Sequence, residues 1–170
     1  LTYIPHKERQ NFMAPSSMNV RYYMQTVFPW LFSVDENGWG GGKMFQVKLD
    51  DEEKQTNIYE EYKEEYANKN ISKFDQPKID ENIKLFPYYV FFPCQLPHDE
   101  TIQYHSDYSV IECLSELMNF TMHWGIPLIV KGHPVNPASM APLKEIVLEK
   151  QKEKPDMIKW VENVSIHQCV

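Results

Sequence analysis

The sequence is poor in cysteine, in positive charge and in long apolar runs, and each shortage excludes a class of protein. The three cysteines, Cys94, Cys113 and Cys169, have no metal-type spacing, which favours a reduced, cytoplasmic protein over a disulfide scaffold. The 17 lysines and arginines are outnumbered by 24 acidic residues, and the net charge of −7 argues against a broad nucleic-acid or anionic-membrane surface. No apolar run reaches the roughly 20 residues that cross a bilayer, and no signal peptide opens the chain.

The sequence patterns of residues 1–84 and 85–170 predict different structures. A hydrophobic fraction of 42% over 170 residues is enough for an ordinary domain with a core. Residues 1–84 predict a region of helices and loops: an aromatic-rich, proline-interrupted helix or extended segment at 18–32, a glycine-rich loop at 35–42 and a helix within 50–69. The glycine-rich loop lacks the Gly-Lys-Ser/Thr ending of a phosphate loop.

Residues 85–170 alternate between strand and helix patterns. Apolar runs at 88–92 and 126–130 predict two strands, and a helix is predicted between them over 107–123, with Ser106 or Asp107 as its cap. A strand–helix–strand crossover of this kind implies parallel pairing. A second helix over 139–152 and a short strand near 157–160 or 161–164 continue the alternation. The fold class is therefore α/β, with a Rossmann-like parallel sheet that lacks the Gly-X-Gly-X-X-Gly dinucleotide fingerprint.

Polar residues follow both strands, and in open parallel sheets ligands bind beyond the carboxyl ends of the strands. After the second strand comes Lys131-Gly132-His133-Pro134, in which the imidazole and the ammonium can meet a phosphate or a carboxylate. Gly132 permits close approach, and the helix that follows offers free amides and a positive dipole end. The competing interpretation is a loop histidine that caps neighbouring backbone.

The loop after the first strand carries an amide, an imidazole and two carboxylates: Gln95, His98, Asp99 and Glu100. An aspartate at this position can act as nucleophile or general base toward a sugar centre, and a glutamine can hold a hydroxyl or a carboxylate. The competing interpretation has Asp99 capping a turn. The acidic and histidine residues at 98–107 match no familiar ligand spacing, so no metal site is predicted.

Two segments carry a family resemblance. Residues 92–102, Phe-Pro-Cys-Gln-Leu-Pro-His-Asp-Glu-Thr-Ile, resemble the glutamine-x-x-x-aspartate segment of bacterial capsule polysaccharide biosynthesis proteins, the β-Kdo transferases and their relatives, which resemble bacterial sialyltransferases. Residues 129–134, Ile-Val-Lys-Gly-His-Pro, resemble the His-Pro motif of the same family, which follows a strand and precedes a helix. The resemblance covers about 86–170 and has both motifs in the family's order.

The resemblance implies part of a GT-B-type glycosyltransferase that moves a sugar from a nucleotide-activated donor, with a CMP-sugar favoured, to a glycan or glycolipid acceptor. It implies no tightly bound cofactor and no nucleic-acid partner. Asp99 would be the catalytic carboxylate with Gln95 beside it, and His98 and Glu100 would contact substrate. The nucleotide phosphate would be bound by Lys131, Gly132, His133, Pro134 and Asn136.

Alternatives remain open at this point. A non-catalytic binding or assembly module of the same ancestry is one, and the tryptophans at positions 30, 39, 124 and 160 motivate it. A different nucleotide-utilising α/β enzyme is another. Members of the family continue beyond the position of Val170, so we expect further residues or a partner chain to complete the site. Peripheral association with a membrane is compatible with the resemblance.

Overall fold

The computed structural model describes residues 22–25, 32–35, 60, 61 and 63–170, and the chain divides into two compact units between Lys73 and Phe74. In the first unit, strand β1 (Tyr22–Gln25) pairs antiparallel with strand β2 (Phe32–Asp35), and a π-helical turn spans Lys63–Ala67. The described part of 18–32 is thus extended rather than helical. Most of the predicted glycine-rich loop and most of the predicted helix within 50–69 lie outside the described residues.

The second unit is built on a three-stranded parallel sheet in the order β3-β4-β5. Its strands are β3 (Val90–Pro93), β4 (Leu128–Lys131) and β5 (Ile158–Val161). Helices α1 (Glu100–His105) and α2 (Val110–Trp124) connect β3 to β4, and a 3₁₀ turn (Pro137–Met140) leads into helix α3 (Ala141–Glu153). A final 3₁₀ turn spans Ile166–Gln168. The predicted α/β fold with a parallel sheet is confirmed, and α1 is an element that the sequence pattern did not reveal.

Helix α2 begins later than the sequence pattern predicts. Its cap is Ser109, which accepts from the backbone N–H of Glu112 while the Glu112 carboxylate accepts from Ser109 N in return, a capping box. The prediction that Ser106 or Asp107 caps the helix is wrong. Ile111 in the first turn is exposed, as is Tyr108 just before the helix. The residues that are buried are Val110, Leu114, Met118 and Thr121.

The sheet has a core on each face because side chains alternate along a strand. One face of β4 and β5, including Val130 and Trp160, packs with residues of α2 and α3. The other face, including Ile129 and Val161, packs with Val164 and Cys169 and with residues of the segment before β3. A layer of helices on one face and irregular chain on the other leaves the carboxyl edge of the sheet as the place where loops gather.

The second unit starts at Phe74, earlier than the predicted boundary between 84 and 85. Gln76 Oε1 accepts from the backbone N–H of Ile166 at 2.9 Å, and Gln168 Nε2 donates to the carbonyl of Asp80 at 2.7 Å. These bonds tie residues 74–80 to the last turn of the chain. The polar segment 74–84, which resembles a linker in the sequence, is therefore part of the α/β unit. None of the helices among the described residues is both long and apolar enough to cross a membrane.

Candidate functional site

A cleft of about 500 Å³ opens at the carboxyl edge of the sheet, above the ends of β4 and β5. Its lining comes from the loops that follow these two strands, from the start of α3 and from the extended segment 75–77. The residues are Asp75, Gln76, Pro77, Lys131, Gly132, His133, Pro134, Pro137, Met140, Ala141, Lys144, Glu162 and Asn163. The cleft therefore occupies the position at which parallel α/β sheets bind ligands.

Lys131, the last residue of β4, brings a buried cation to the cleft. Its exposed fraction is only 8%, and within residues 63–170 no carboxylate or other acceptor is bonded to its ammonium group. Burial lowers the pKa of Lys131, and the nearby cysteines Cys169 and Cys94 act in the opposite direction. Burial raises the pKa of the Cys94 thiol to about 12 and raises that of Cys169, so both thiols are neutral near pH 7. The described surroundings leave this charge uncompensated, which favours an anionic ligand.

His133 uses one ring nitrogen for its own loop. The backbone N–H of Val135 donates to His133 Nδ1 at 3.1 Å, so the neutral ring carries its proton on Nε2. In the doubly protonated ring, Nδ1 can donate to the Val135 carbonyl at 3.3 Å instead. Phe74 contacts the ring edge-on, with centroids 5.5 Å apart. Nδ1 therefore caps the backbone, as the competing interpretation of this histidine predicts, while Nε2–H remains a donor in either protonation state.

The other residues of the predicted phosphate group have different positions. Pro134 lines the cleft beside His133, whereas Asn136 is outside the lining and occupies the left-handed region, with φ of 55°, just before the 3₁₀ turn. Gly132 does permit close approach, but the group that approaches is the indole of Trp160. A Cβ at position 132 would stand 2.9 Å from Cζ2 of that ring.

The helix start contributes less hydrogen bonding than predicted. The 3₁₀ turn runs directly into α3, and neither has a side-chain cap. Pro137 and Pro142 have no N–H to donate, and Ser139 N already donates to the Asn136 carbonyl. The positive end of the helix dipole remains, so the start of α3 adds a favourable potential for an anion rather than a set of donors.

The predicted catalytic cluster lies on the loop after β3, outside the lining of this cleft. The Asp99 carboxylate accepts from the backbone N–H of Thr101 at 2.8 Å and is the N-cap of α1. Gln95 and His98 are exposed, and Glu100 occupies the first turn of α1. The loops after β3 and β4 share one edge of the sheet, yet among residues 63–170 the cleft is lined by 131–134 and by none of 95–100.

The structure adds functional candidates that the sequence analysis missed. Lys144 of α3 and Glu162, which follows β5, both line the cleft, and Lys144 Nζ donates to Glu162 Oε2 at 2.8 Å. This bond, with a smaller contribution from Trp160, lowers the pKa of Glu162. The strand-end rule that identified His133 applies equally to Glu162 and Asn163, which directly follow the third parallel strand. Nothing in the sequence pattern pairs Glu162 with Lys144.

Within the described residues, no group of three or more histidine, cysteine, aspartate or glutamate side chains is arranged to hold a metal ion. The cleft instead offers a buried ammonium, an imidazole N–H and a helix dipole, which together suit a phosphate or a carboxylate. Comparison with protein-family models, with curated proteins and with solved structures finds no significant match to this chain. The functional assignment therefore rests on the cleft and on the residues that line it.

Proposed function

We propose that the cleft binds the phosphate of a nucleotide-activated sugar, and that the chain is a glycosyltransferase of the capsule polysaccharide type. The observation that carries the proposal is Lys131, a nearly buried lysine that lines the cleft and has no bonded acceptor within residues 63–170. The resemblance of residues 92–102 and 129–134 to capsule polysaccharide transferases supports the choice of reaction. In this proposal the α/β unit is the nucleotide-binding half of a GT-B-type enzyme, and a CMP-sugar is the favoured donor.

The chemistry assigned to the cleft is stabilisation of a departing nucleotide phosphate. When the bond between the sugar and the phosphate breaks, negative charge builds on the phosphate oxygens. An ammonium group and an imidazole N–H that are already in position stabilise that charge with little reorganisation. The sugar passes to a hydroxyl group of a glycan or glycolipid acceptor. No metal ion is required by this arrangement of donors.

The binding step is tested by calorimetry with CMP in the absence of divalent cations. Lys131→Met should weaken CMP binding at least about tenfold, because a charge-assisted hydrogen bond is among the stronger polar interactions. Lys152→Met is the matched control: Lys152 is exposed in the last turn of α3, about 12 Å along the helix from Lys144. The proposal is wrong if wild type and Lys131→Met bind CMP equally, or if wild type does not bind nucleotides at all.

A non-catalytic nucleotide-binding module is the second candidate, and one observation favours it. The Asp99 carboxylate caps α1 and is outside the cleft lining. Sugar transfer by the wild-type chain, followed with a radiolabelled CMP-sugar, would exclude this candidate. If Asp99 is the catalytic carboxylate, Asp99→Asn should lower turnover by about 10²–10⁴-fold. A full rate in that variant would remove Asp99 from the mechanism and leave the binding assignment intact.

A further inference from the structure

Lys144 lies where a helix does not favour a cation. It belongs to the first turns of α3, and the positive end of the helix dipole disfavours an ammonium there. Its ammonium group donates to the carboxylate of Glu162, on the loop after β5, at 2.8 Å. Both side chains line the cleft and are substantially exposed, with side-chain exposed fractions of 38% and 45%. Exposed ion pairs contribute little to stability, so this pair can exchange partners at low cost.

Trp160 supplies an unmet hydrogen-bond donor close to the same pair. The exposed fraction of the residue is 8%, and its indole N–H is the buried side-chain donor for which the described residues provide no acceptor of normal geometry. The Glu162 carboxylate, two residues along the chain, nonetheless interacts with the indole N–H outside normal hydrogen-bond geometry, and this interaction helps lower the pKa of Glu162. A buried polar group without a partner is uncommon and calls for a physical explanation.

The indole is held in place by its surroundings. It packs in the core between the sheet and the helices, Gly132 covers its six-membered ring, and the backbone N–H of Trp160 donates to Gln151 Oε1 at 3.1 Å. Glu162, by contrast, is an exposed side chain directly after a strand. A movement of the Glu162 carboxylate, rather than of the ring, would therefore complete the missing hydrogen bond.

We propose that Lys144 recognises a second anionic group of the ligand, and that the Glu162 carboxylate passes from the Lys144 ammonium to the Trp160 indole N–H when this group binds. The proposal rests on the proposed function, since it takes Lys131 as the residue that binds the first phosphate. The second group is a further phosphate or the carboxylate of an acidic sugar. Lys144 is then a specificity-determining residue, and Glu162 keeps it neutralised until the correct ligand arrives.

The affinity test compares three probes on the intact chain by calorimetry, without divalent cations: CMP, CDP and a CMP-linked sugar acid. Wild type should bind CDP or the sugar acid about tenfold more tightly than CMP, and Lys144→Met should reduce that ratio to near one. Lys152→Met should keep the wild-type ratio. The probe whose preference depends on Lys144 identifies the second group as a phosphate or as a carboxylate.

A second readout follows the exchange itself. The indole N–H proton resonance of Trp160, assigned by its absence in Trp160→Phe, should move downfield when the preferred probe binds, because the proton gains an acceptor. In Glu162→Ala this shift should be absent. The signals of the other three tryptophans are the internal reference.

The outcomes separate the two proposals. If no probe binds, or if binding does not depend on Lys131, the proposed function fails and this inference fails with it. If Lys131 governs binding but Lys144→Met keeps the wild-type ratio within twofold, the inference alone is wrong. An unchanged Trp160 resonance in saturated wild type would overturn the exchange of Glu162, even where the affinity ratio depends on Lys144.

Discussion

The six-membered ring of Trp160 lies directly against Gly132, close enough that a Cβ on the glycine would stand 2.9 Å from Cζ2. Gly132 is the first residue of the loop that carries His133, and Trp160 belongs to the neighbouring strand β5. Trp160, a core residue of β5, therefore limits the path of the cleft-forming loop that follows the neighbouring strand β4. The requirement for glycine comes from packing of the fold, because no positive φ is involved at this position.

We expect Gly132→Ala to lower the free energy of unfolding by about 1–3 kcal/mol, because the new methyl group overpacks a site next to a buried ring. Urea denaturation followed by circular dichroism measures the loss. Gly125→Ala is the comparison: Gly125 has φ of +65° with open space around its Cβ, so the alanine there is strained by backbone conformation alone. Combining Gly132→Ala with Trp160→Leu should cost less than the sum of the two changes. If the losses of unfolding free energy in the two variants add, the contact between Gly132 and Trp160 is not the cause of the loss in Gly132→Ala.

The two ring nitrogens of His133 should have different roles, Nδ1 in the stability of the loop and Nε2 in ligand binding. In His133→Asn, the side-chain oxygen can take the place of Nδ1 and accept from Val135 N, so the loop keeps its turn while the Nε2–H donor is lost. In His133→Gln, the amide reaches the Nε2 position and the bond to Val135 is lost. We expect the asparagine variant to keep stability and lose CMP affinity about tenfold.

The glutamine variant should show the reverse pattern: it should be less stable than the asparagine variant and should bind CMP more tightly than that variant does. Thermal unfolding and calorimetry on the two variants measure both quantities. Equal CMP affinity in wild type and His133→Asn would exclude Nε2 as a ligand donor.

Asp99 should contribute to stability through its cap. Asp99→Ala leaves Thr101 N without its acceptor at the start of α1, and a lost N-cap costs about 0.5–2 kcal/mol. Asp99→Asn keeps an acceptor at the same position, and asparagine caps helices well, so its loss should be within a few tenths of a kcal/mol. Unfolding free energies of the two variants at pH 7 test this. Equal losses would mean that the negative charge, rather than the hydrogen bond, stabilises the site.

Lys131 should make stability depend on pH in the alkaline range. Burial lowers its folded pKa below the ordinary value of 10.5, so between these two values the unfolded chain binds more protons than the folded one. The free energy of unfolding contributed by this residue therefore rises with pH across that window. Lys131→Met should lack the rise and should be more stable than wild type at pH 7, since an uncharged side chain replaces an ammonium group that is partly removed from water.

The difference between the two pH–stability curves reports Lys131 together with its coupling to Cys94 and Cys169, because the charge of Lys131 lowers the pKa of both thiols. A flat difference between pH 7 and pH 11 would contradict the burial of the ammonium group.

Much of the site could be placed from local patterns. The two apolar runs with a helix between them predict parallel strands, and parallel strands bring their carboxyl ends to one edge. That reasoning put Lys131, His133 and Pro134 at an edge cleft, and the structure places all three there. It also gave backbone capping by His133 as an alternative, and Nδ1 makes that hydrogen bond.

Other features depended on packing between distant residues and were not accessible to such patterns. The inward side of α2 is set by how the helix meets the sheet, so Val110 is buried while Ile111, one position along, is exposed. Residues 74–84 are polar and resemble a linker, yet the Gln76 side chain accepts from Ile166 N and the Asp80 carbonyl accepts from the Gln168 side chain.

The chain's own periodicity decided that this is a parallel α/β unit with polar groups at the carboxyl edge, since strand and helix repeats are local properties. Only the tertiary structure decided which of those groups share a cleft. Lys144 meets Glu162, and Trp160 meets Gly132, across 18 and 28 positions of the sequence. These contacts form because α3 and the loops at the end of β4 and β5 pack closely together at the sheet. No short stretch of residues specifies that packing.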